Sequence, residues 1–229
     1  MPKQVIVTGA TGNLGKDVVK KLSELGYGLH INVRPGKTDA YADNANVSNY
    51  LADLASAEQA ELFVAEAITN ASQIDAGVLL AGGFAMAKLT DTTDADIEQM
   101  LMMNFKTAFH VVKPLMKHFQ ANGGGQFIFI GARPALVPEA GMGSFAYTLA
   151  KTLIFQMADL INAEGKSKNI TATVVVPSII DTPDNRAAMP GSDFSKWIPA
   201  ADMAEGIAFV LSDTGKKLRQ TVLKLYNEA

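Results

Sequence analysis

The stretch Gln4-Val5-Ile6-Val7-Thr8-Gly9-Ala10-Thr11-Gly12-Asn13-Leu14-Gly15 decides the reading of the whole chain. Residues 3–8 are a short β-rich run that stops at glycines, and residues 14–25 (LGKDVVKKLSEL) set Leu14, Val18, Val19, Leu22 and Leu25 on one face of a helix. A strand that passes through a glycine-rich turn into an amphipathic helix opens a dinucleotide-type βαβ unit. The glycines let the backbone turn tightly and approach a pyrophosphate, while the helix N-terminus offers free N–H groups and a partial positive charge. Gly9, Thr11, Gly12, Asn13, Leu14 and Gly15 are therefore the first candidate cofactor contacts.

Outward from that unit, short apolar runs alternate with segments of helical period. Strands are expected at 29–33, 126–130, 170–176 and 221–226, with a poorer, asparagine-rich one at 47–51 and a brief buried run at 77–80. Helices are expected at 58–69, 144–163 and 200–211, and as one long element over 94–120, broken near Met103 and kinked at Pro114. Continuously apolar strands separated by helices build a parallel sheet covered on both faces. The expectation is a doubly wound, Rossmann-type α/β fold. It has about seven strands in the order 3-2-1-4-5-6-7, helices on both faces and a single domain over residues 1–229. Residues 177–199 hold four prolines and little periodicity, and read as a substrate loop or lid beyond a strand's carboxyl end.

With 48% hydrophobic and 19% charged residues, the 229-residue chain is not disordered and has material for a sizeable core. A net charge of -3 leaves no footprint for nucleic acid. Zero cysteines exclude a disulfide framework and a thiolate metal site, and His30, His110 and His118 are too scattered for a zinc motif, so no metal is expected. His110 and His118 read as ordinary surface or interface residues. The N-terminus enters a strand pattern at once, which leaves no room for a signal peptide, and no run reaches the ~18 apolar residues of a membrane span. A soluble, cytoplasmic protein is the expectation.

Two further patterns carry chemistry. The second strand ends Asn32-Val33-Arg34-Pro35-Gly36-Lys37, with two cations and no acid. An acid there usually holds the ribose 2′-hydroxyl of NAD, whereas Arg suits the 2′-phosphate of NADP, so Arg34 favours NADP and leaves NAD possible. Tyr147-Thr148-Leu149-Ala150-Lys151 sets a phenol and an ammonium one helical turn apart on one face. A phenol of pKa ~10 exchanges protons poorly at neutral pH, and a neighbouring cation is expected to lower it. The spacing also suits a surface pair, but it opens the helix after the fifth strand, on the side where a nicotinamide lies.

Together these residues resemble the short-chain dehydrogenase/reductase family over essentially the whole chain. The matching features are the TGxxGxxG loop, Asp53-Leu54, Ala81-Gly82, Asn104, Tyr147-x-x-x-Lys151, and Pro177 followed by Thr182. The resemblance implies that Asp53 and Leu54 meet the adenine, that Ala81, Gly82 and Gly83 pass beside its ribose, and that Pro177, Ile180 and Thr182 touch the cofactor after the sixth strand. It further implies that Tyr147 is the general acid/base, that Lys151 binds the ribose hydroxyls, and that Asn104 holds a proton-relay water.

The sequence departs from the family at the serine expected after the fifth strand, where Gly131-Ala132-Arg133 offers Ala132. Quinonoid dihydropteridine reductases are similar in this respect and in Ala81-Gly82-Gly83-Phe84, Ala140-Gly141-Met142 and the long stretch from Asp181 to Met189 and on to Trp197. An electron-poor quinonoid ring needs less help from a hydroxyl donor. That branch implies an NAD(P)H-dependent reductase acting on an electron-poor C=N or C=O centre, with Ala132, Phe84, Met189, Phe194 and Trp197 about the substrate. Phe194 and Trp197 suit stacking on a flat ring and pinning of the loop equally. Ser144 reads as a helix N-cap or as a relocated hydroxyl for a carbonyl or alcohol dehydrogenase. A non-catalytic NADP-binding regulator is the rival from another class. The apolar excess from Met100 to Met116, with Phe105 and Phe109, suits a core or a subunit interface, so a homodimer or homotetramer through the long helices is expected.

Overall fold

The apolar runs pair side by side in a computed structural model that describes residues 2–38, 40–219 and 221–228. The strands are β1 (Gln4–Thr8), β2 (Gly28–Val33), β3 (Val47–Leu51), β4 (Ala76–Leu79), β5 (Gly125–Ile130), β6 (Ile170–Pro177), β7 (Ile180–Asp181), β8 (Ile198–Pro199) and β9 (Thr221–Leu225). Seven of them form one parallel sheet in the order β3-β2-β1-β4-β5-β6-β9, while β7 and β8 pair by themselves. The expected order holds, and its last strand is β9 only because two short strands intervene. β6 is buried along its whole length, as a strand covered on both faces must be, whereas the edge strand β9 alternates between half-buried and exposed positions.

The helices are α1 (Asn13–Glu24), α2 (Ala57–Ala71), α3 (Asp94–Leu101), α4 (Thr107–Ala121), α5 (Pro138–Gly141), α6 (Phe145–Gly165), α7 (Pro183–Ala188) and α8 (Ala200–Leu211). The two-residue period of the strands divides the core. Val5, Val7 and Ile31 pack with Val18 and Leu22 of α1 and Met203 and Ile207 of α8 on one face. Ile6, Phe127 and Phe129 pack with Phe63 of α2, Leu115 and Phe119 of α4 and Ile154 of α6 on the other.

Where the sequence suggested one long helix, α3 starts at a reciprocal Thr93–Asp96 capping box and gives way to a π-helical turn, Met102–Lys106, before α4 continues through Pro114. The irregularity thus lies at the Met103 break, and the helix is uninterrupted at the proline. Asn104 is the buried residue of that turn; its amide donates to Met100 O (3.2 Å) and its carbonyl accepts from Gly83 N (3.2 Å). The apolar segment is split: Met100, Val112 and Met116 are buried, while Met103 and Phe109 face outward.

Two expectations are corrected here. His118 is buried, its Nε2 accepting from Ile74 N at 3.1 Å, so it is a core histidine and not a surface residue. Half-buried His110 donates from Nδ1 to Leu54 O at 2.8 Å. The 177–199 stretch is ordered: Thr182 caps α7, Arg186 grips Asp181 through two hydrogen bonds of 2.6 and 2.7 Å, and its guanidinium lies 4.9 Å from the Phe194 ring. A six-residue helix is too short to print a period, which is why the sequence read as a loop. Among the described residues, no helix is long and apolar enough to cross a membrane.

Candidate active site

The turn between β1 and α1 is shaped by what its glycines lack. Gly9 sits at φ +68°, and a Cβ there would lie 2.8 Å from Ala81 N, so both the backbone angle and the space demand glycine. A Cβ on Gly15 would overlap the Gly9 carbonyl oxygen, so this glycine lets the helix rise tight against the loop. Thr8 Oγ1 accepts from Leu80 N (3.1 Å) and Ala81 N (3.2 Å), stitching the end of β1 to the Ala81-Gly82-Gly83 segment beyond β4. Exposed Gly12 occupies the N-cap of α1, no side chain caps that end, and its first turn carries no acid. These open N–H groups fit a diphosphate.

Across the crest, the first turns of α6 bring the Tyr147 ring within 5.9 Å of Lys151 Nζ. Lys151 is only 7% exposed and donates to Ile130 O at 2.9 Å, at the carboxyl end of β5. An ammonium has three donors, so this buried cation has capacity left for ligand hydroxyls, which again fits a dinucleotide. A Cβ on Gly82 would meet Asn104 Oδ1 at 2.7 Å and Lys151 Nζ at 3.7 Å, which places Asn104, Gly82 and Lys151 together. Phe84 meets Tyr147 edge-on, their ring centroids 4.9 Å apart.

Burial sets the protonation states, and one expectation reverses. The Tyr147 phenol is pushed up to about 12, not down, because desolvation penalises its anion. Desolvation likewise pushes Lys151 down to about 8. Burial thus favours the protonated phenol and disfavours the charge on its lysine neighbour.

The remaining candidates divide. Exposed Asp53 accepts from Ala55 N (3.0 Å), next to buried Leu54. Exposed Arg34 forms no ion pair among the described residues, and Lys37 lines a cleft of about 510 Å³ with Thr11, Lys16, Gly36, Ala40 and Tyr41. Sequence reasoning missed Lys16 and Tyr41 there: the spacing along α1 could have flagged the lysine, but nothing marks the tyrosine. Tyr41 adopts φ +59° and donates from its hydroxyl to Ala10 O at 2.8 Å. Asn13 donates from Nδ2 to Asp184 Oδ2 at 2.7 Å, while Leu14 packs partly buried on the α1 side of the core.

Beyond β6, Pro177 pairs with Leu225 of β9, Ile180 packs against the α1 face, and the Thr182 hydroxyl accepts from Asn185 N at 3.2 Å. Ala132 is buried and brings no hydroxyl. Ser144 stands at the N-cap position of α6 but makes no capping bond. Its chain is engaged with Ala87, whose carbonyl accepts from Phe145 N (2.9 Å), and its Oγ lies 3.4 Å from Thr148 Oγ1. Trp197 is 3% exposed, 4.7 Å from the Phe194 ring, and its carbonyl accepts from Asn227 at 3.0 Å. It pins the segment to the body and is not a free stacking platform; half-buried Met189 closes α7.

A glycine-turn nucleotide fold with a Tyr–Lys pair beside its crest defines a class, the nicotinamide-dependent oxidoreductases. The family model described as short chain dehydrogenase matches residues 3–192, and the chain belongs to that family. It is an NAD(P)-dependent oxidoreductase. The chain is 29% identical over 212 residues to a dihydropteridine reductase of Dictyostelium discoideum, covering 90% of this chain and 86% of that one. It is 26% identical over 231 residues to an acetoacetyl-CoA reductase of Acinetobacter sp. (strain RA3849), covering 93% and 92%. A solved structure titled ElxO with NADP bound superposes with a TM-score of 0.91 at 22% identity, covering 99% of this chain and 98% of that one, a likeness of fold.

Proposed function

We propose that the protein is an NADPH-preferring reductase that passes hydride to an electron-poor C=N or C=O centre of a flat, pterin- or quinonoid-like substrate. When bound, the reduced nicotinamide supplies the hydride. Gly9, Thr11, Gly12, Asn13, Leu14 and Gly15 would hold the diphosphate; Asp53, Leu54, Ala81, Gly82 and Gly83 the adenosine half; Pro177, Ile180 and Thr182 the nicotinamide end. Arg34, with Lys37 and Lys16, would face a 2′-phosphate, and the absence of an acid at the end of β2 supports that preference.

The observation that carries the reading is geometric: the Tyr147 ring lies 5.9 Å from the buried Lys151 Nζ, beside Gly82 and Asn104 at the carboxyl end of the sheet. Burial alone holds the Tyr147 phenol up to about 12, so bringing it toward neutral, as proton transfer requires, would fall to the Lys151 cation and the positive charge of the oxidised nicotinamide. As the substrate carbon gains the hydride pair, Tyr147 Oη gives its proton to the neighbouring nitrogen or oxygen. Lys151 stabilises the resulting phenolate, and Asn104 steers the proton that restores it. Ala132 in place of a hydroxyl suits an acceptor whose ring is already polarised, in keeping with the name of the Dictyostelium relative.

Residues 177–199 would serve as the lid within one domain spanning 1–229, with Phe84, Met189 and Phe194 toward the substrate. The outward-facing Phe109, Leu149, Leu153 and Leu160 of α4 and α6 support a homodimer or homotetramer; a cytoplasmic location belongs to the same proposal.

The test is NADPH oxidation with pterin, quinone and carbonyl acceptors, with Tyr147→Phe alongside. Turnover with the flat electron-poor acceptors, lowered ~10²-fold or more in Tyr147→Phe, is expected. Tight cofactor binding without consumption of any acceptor would refute the reading in favour of a non-catalytic cofactor-binding regulator.

A further inference from the structure

We infer that Asp184 is a charge gate on the diphosphate seat: its carboxylate occupies the edge of that seat in the ligand-free protein, and an arriving cofactor must displace it. The inference rests on the dinucleotide reading of the glycine turn and is independent of the acceptor.

Asp184 and Asn13 are distant in sequence, yet Asp184 Oδ2 accepts from Asn13 Nδ2 at 2.7 Å. Asn13 is the first residue of α1, at the helix end whose N–H groups no side chain caps and whose first turn holds no acid. Such an end attracts an anion, and the lid delivers one from the first turn of α7. No cation among the described residues pairs with that carboxylate. Arg186, the cation of the same short helix, is committed to Asp181 through two hydrogen bonds.

The anchorage of the lid makes the contact reproducible. Arg186 lies over the Phe194 ring, Phe194 packs at a tilt against Trp197, and Asn227 holds the Trp197 carbonyl, so α7 is braced by its own segment. The Asn13–Asp184 bond is therefore the clasp between a braced lid and the glycine turn. Asp184 touches the side chain of Asn13 and not the backbone N–H groups, so a diphosphate on those groups would meet a carboxylate of like sign at the edge of its seat. Repulsion between exposed charges at ~5 Å changes a binding constant by roughly five- to tenfold, and salt screens it.

The gate predicts the sign of a change that a simple clasp would reverse. Asp184→Asn keeps the size of the side chain and an acceptor for Asn13 Nδ2 but removes the charge. Dissociation constants of NADPH and NADH, read from nicotinamide fluorescence on the otherwise intact protein, are compared at about 20 mM and about 500 mM salt. Both cofactors should bind about fivefold tighter or more to Asp184→Asn at low salt, by the same factor because they share the diphosphate, with the gain shrinking at high salt. Asp184→Ala should move the same way. Unchanged or weaker binding by Asp184→Asn overturns the gate while leaving the dinucleotide site intact. Failure of the wild-type protein to bind either cofactor sinks the underlying reading, and the gate with it.

Discussion

Replacing Lys151 with methionine should stabilise the ligand-free protein at neutral pH, and the size of the effect should depend on pH in a set direction. Burial pushes the lysine from 10.5 down to about 8. At about 1.36 kcal/mol per pH unit, the folded state bears on the order of 3 kcal/mol for keeping the cation desolvated. The folded value lies below the unfolded one, so between about 8 and 10.5 the unfolded chain binds more protons, and stability rises with pH across that window. Below about 8 the whole penalty stands, and above 10.5 it is gone. Methionine fills similar space with no charge, but it strands the Ile130 carbonyl that Lys151 Nζ reaches at 2.9 Å, a loss of about 1–2 kcal/mol. The variant should therefore be more stable than wild type by about 1–2 kcal/mol near pH 7, about 2–6 °C in Tm, and less stable by a similar amount near pH 10.5. Urea unfolding of both ligand-free proteins at several pH values, with the slopes compared, measures this directly. A stability difference that does not move between those pH values would refute the claim that Lys151 is a buried cation. The same substitution should weaken cofactor binding, so stability and function are expected to part company at this residue.

The other predictions concern specificity and the hydroxyl question. Arg34→Ala combined with Lys37→Ala should weaken NADPH binding about tenfold or more while leaving NADH nearly unchanged, measured by fluorescence titration; equal losses for both cofactors would remove these cations from any 2′-phosphate role. Ser144→Ala should leave turnover within about threefold of wild type, because its Oγ faces Thr148 and makes no cap, with a stability cost of no more than about 1 kcal/mol. Abolished turnover in a folded variant would instead make Ser144 the missing hydroxyl of a carbonyl or alcohol dehydrogenase.

The sheet was legible because its information is local. β1, β5 and β6 are largely apolar runs and the glycine turn is contiguous, so strand type and the turn follow from neighbouring letters, and the order from the handedness of the crossovers. The Tyr147–Lys151 proximity was equally readable from helical spacing. The protonation of that pair was not, because desolvation depends on Phe84 and on the end of β5, which meet Tyr147 and Lys151 only after folding. His118 was misplaced for a similar reason: its partner, the Ile74 amide, belongs to another element. The Asn13–Asp184 contact joins residues far apart in the chain, and no periodicity encodes it.

The π-helical turn at Met102–Lys106 has a consequence for how this chain tolerates changes of length. Such a turn houses one residue more than regular winding requires. Removing a residue elsewhere in an amphipathic helix rotates every later side chain by about 100° and exposes the buried stripe. Here the surplus member of the coil is a reserve: its loss would restore ordinary winding and leave Leu115 and Phe119 seated against the sheet. The forfeit would fall on Asn104, the buried residue of that turn, whose carbonyl accepts from Gly83 N at 3.2 Å. The scaffold can shed that letter at the expense of the Asn104–Gly83 contact.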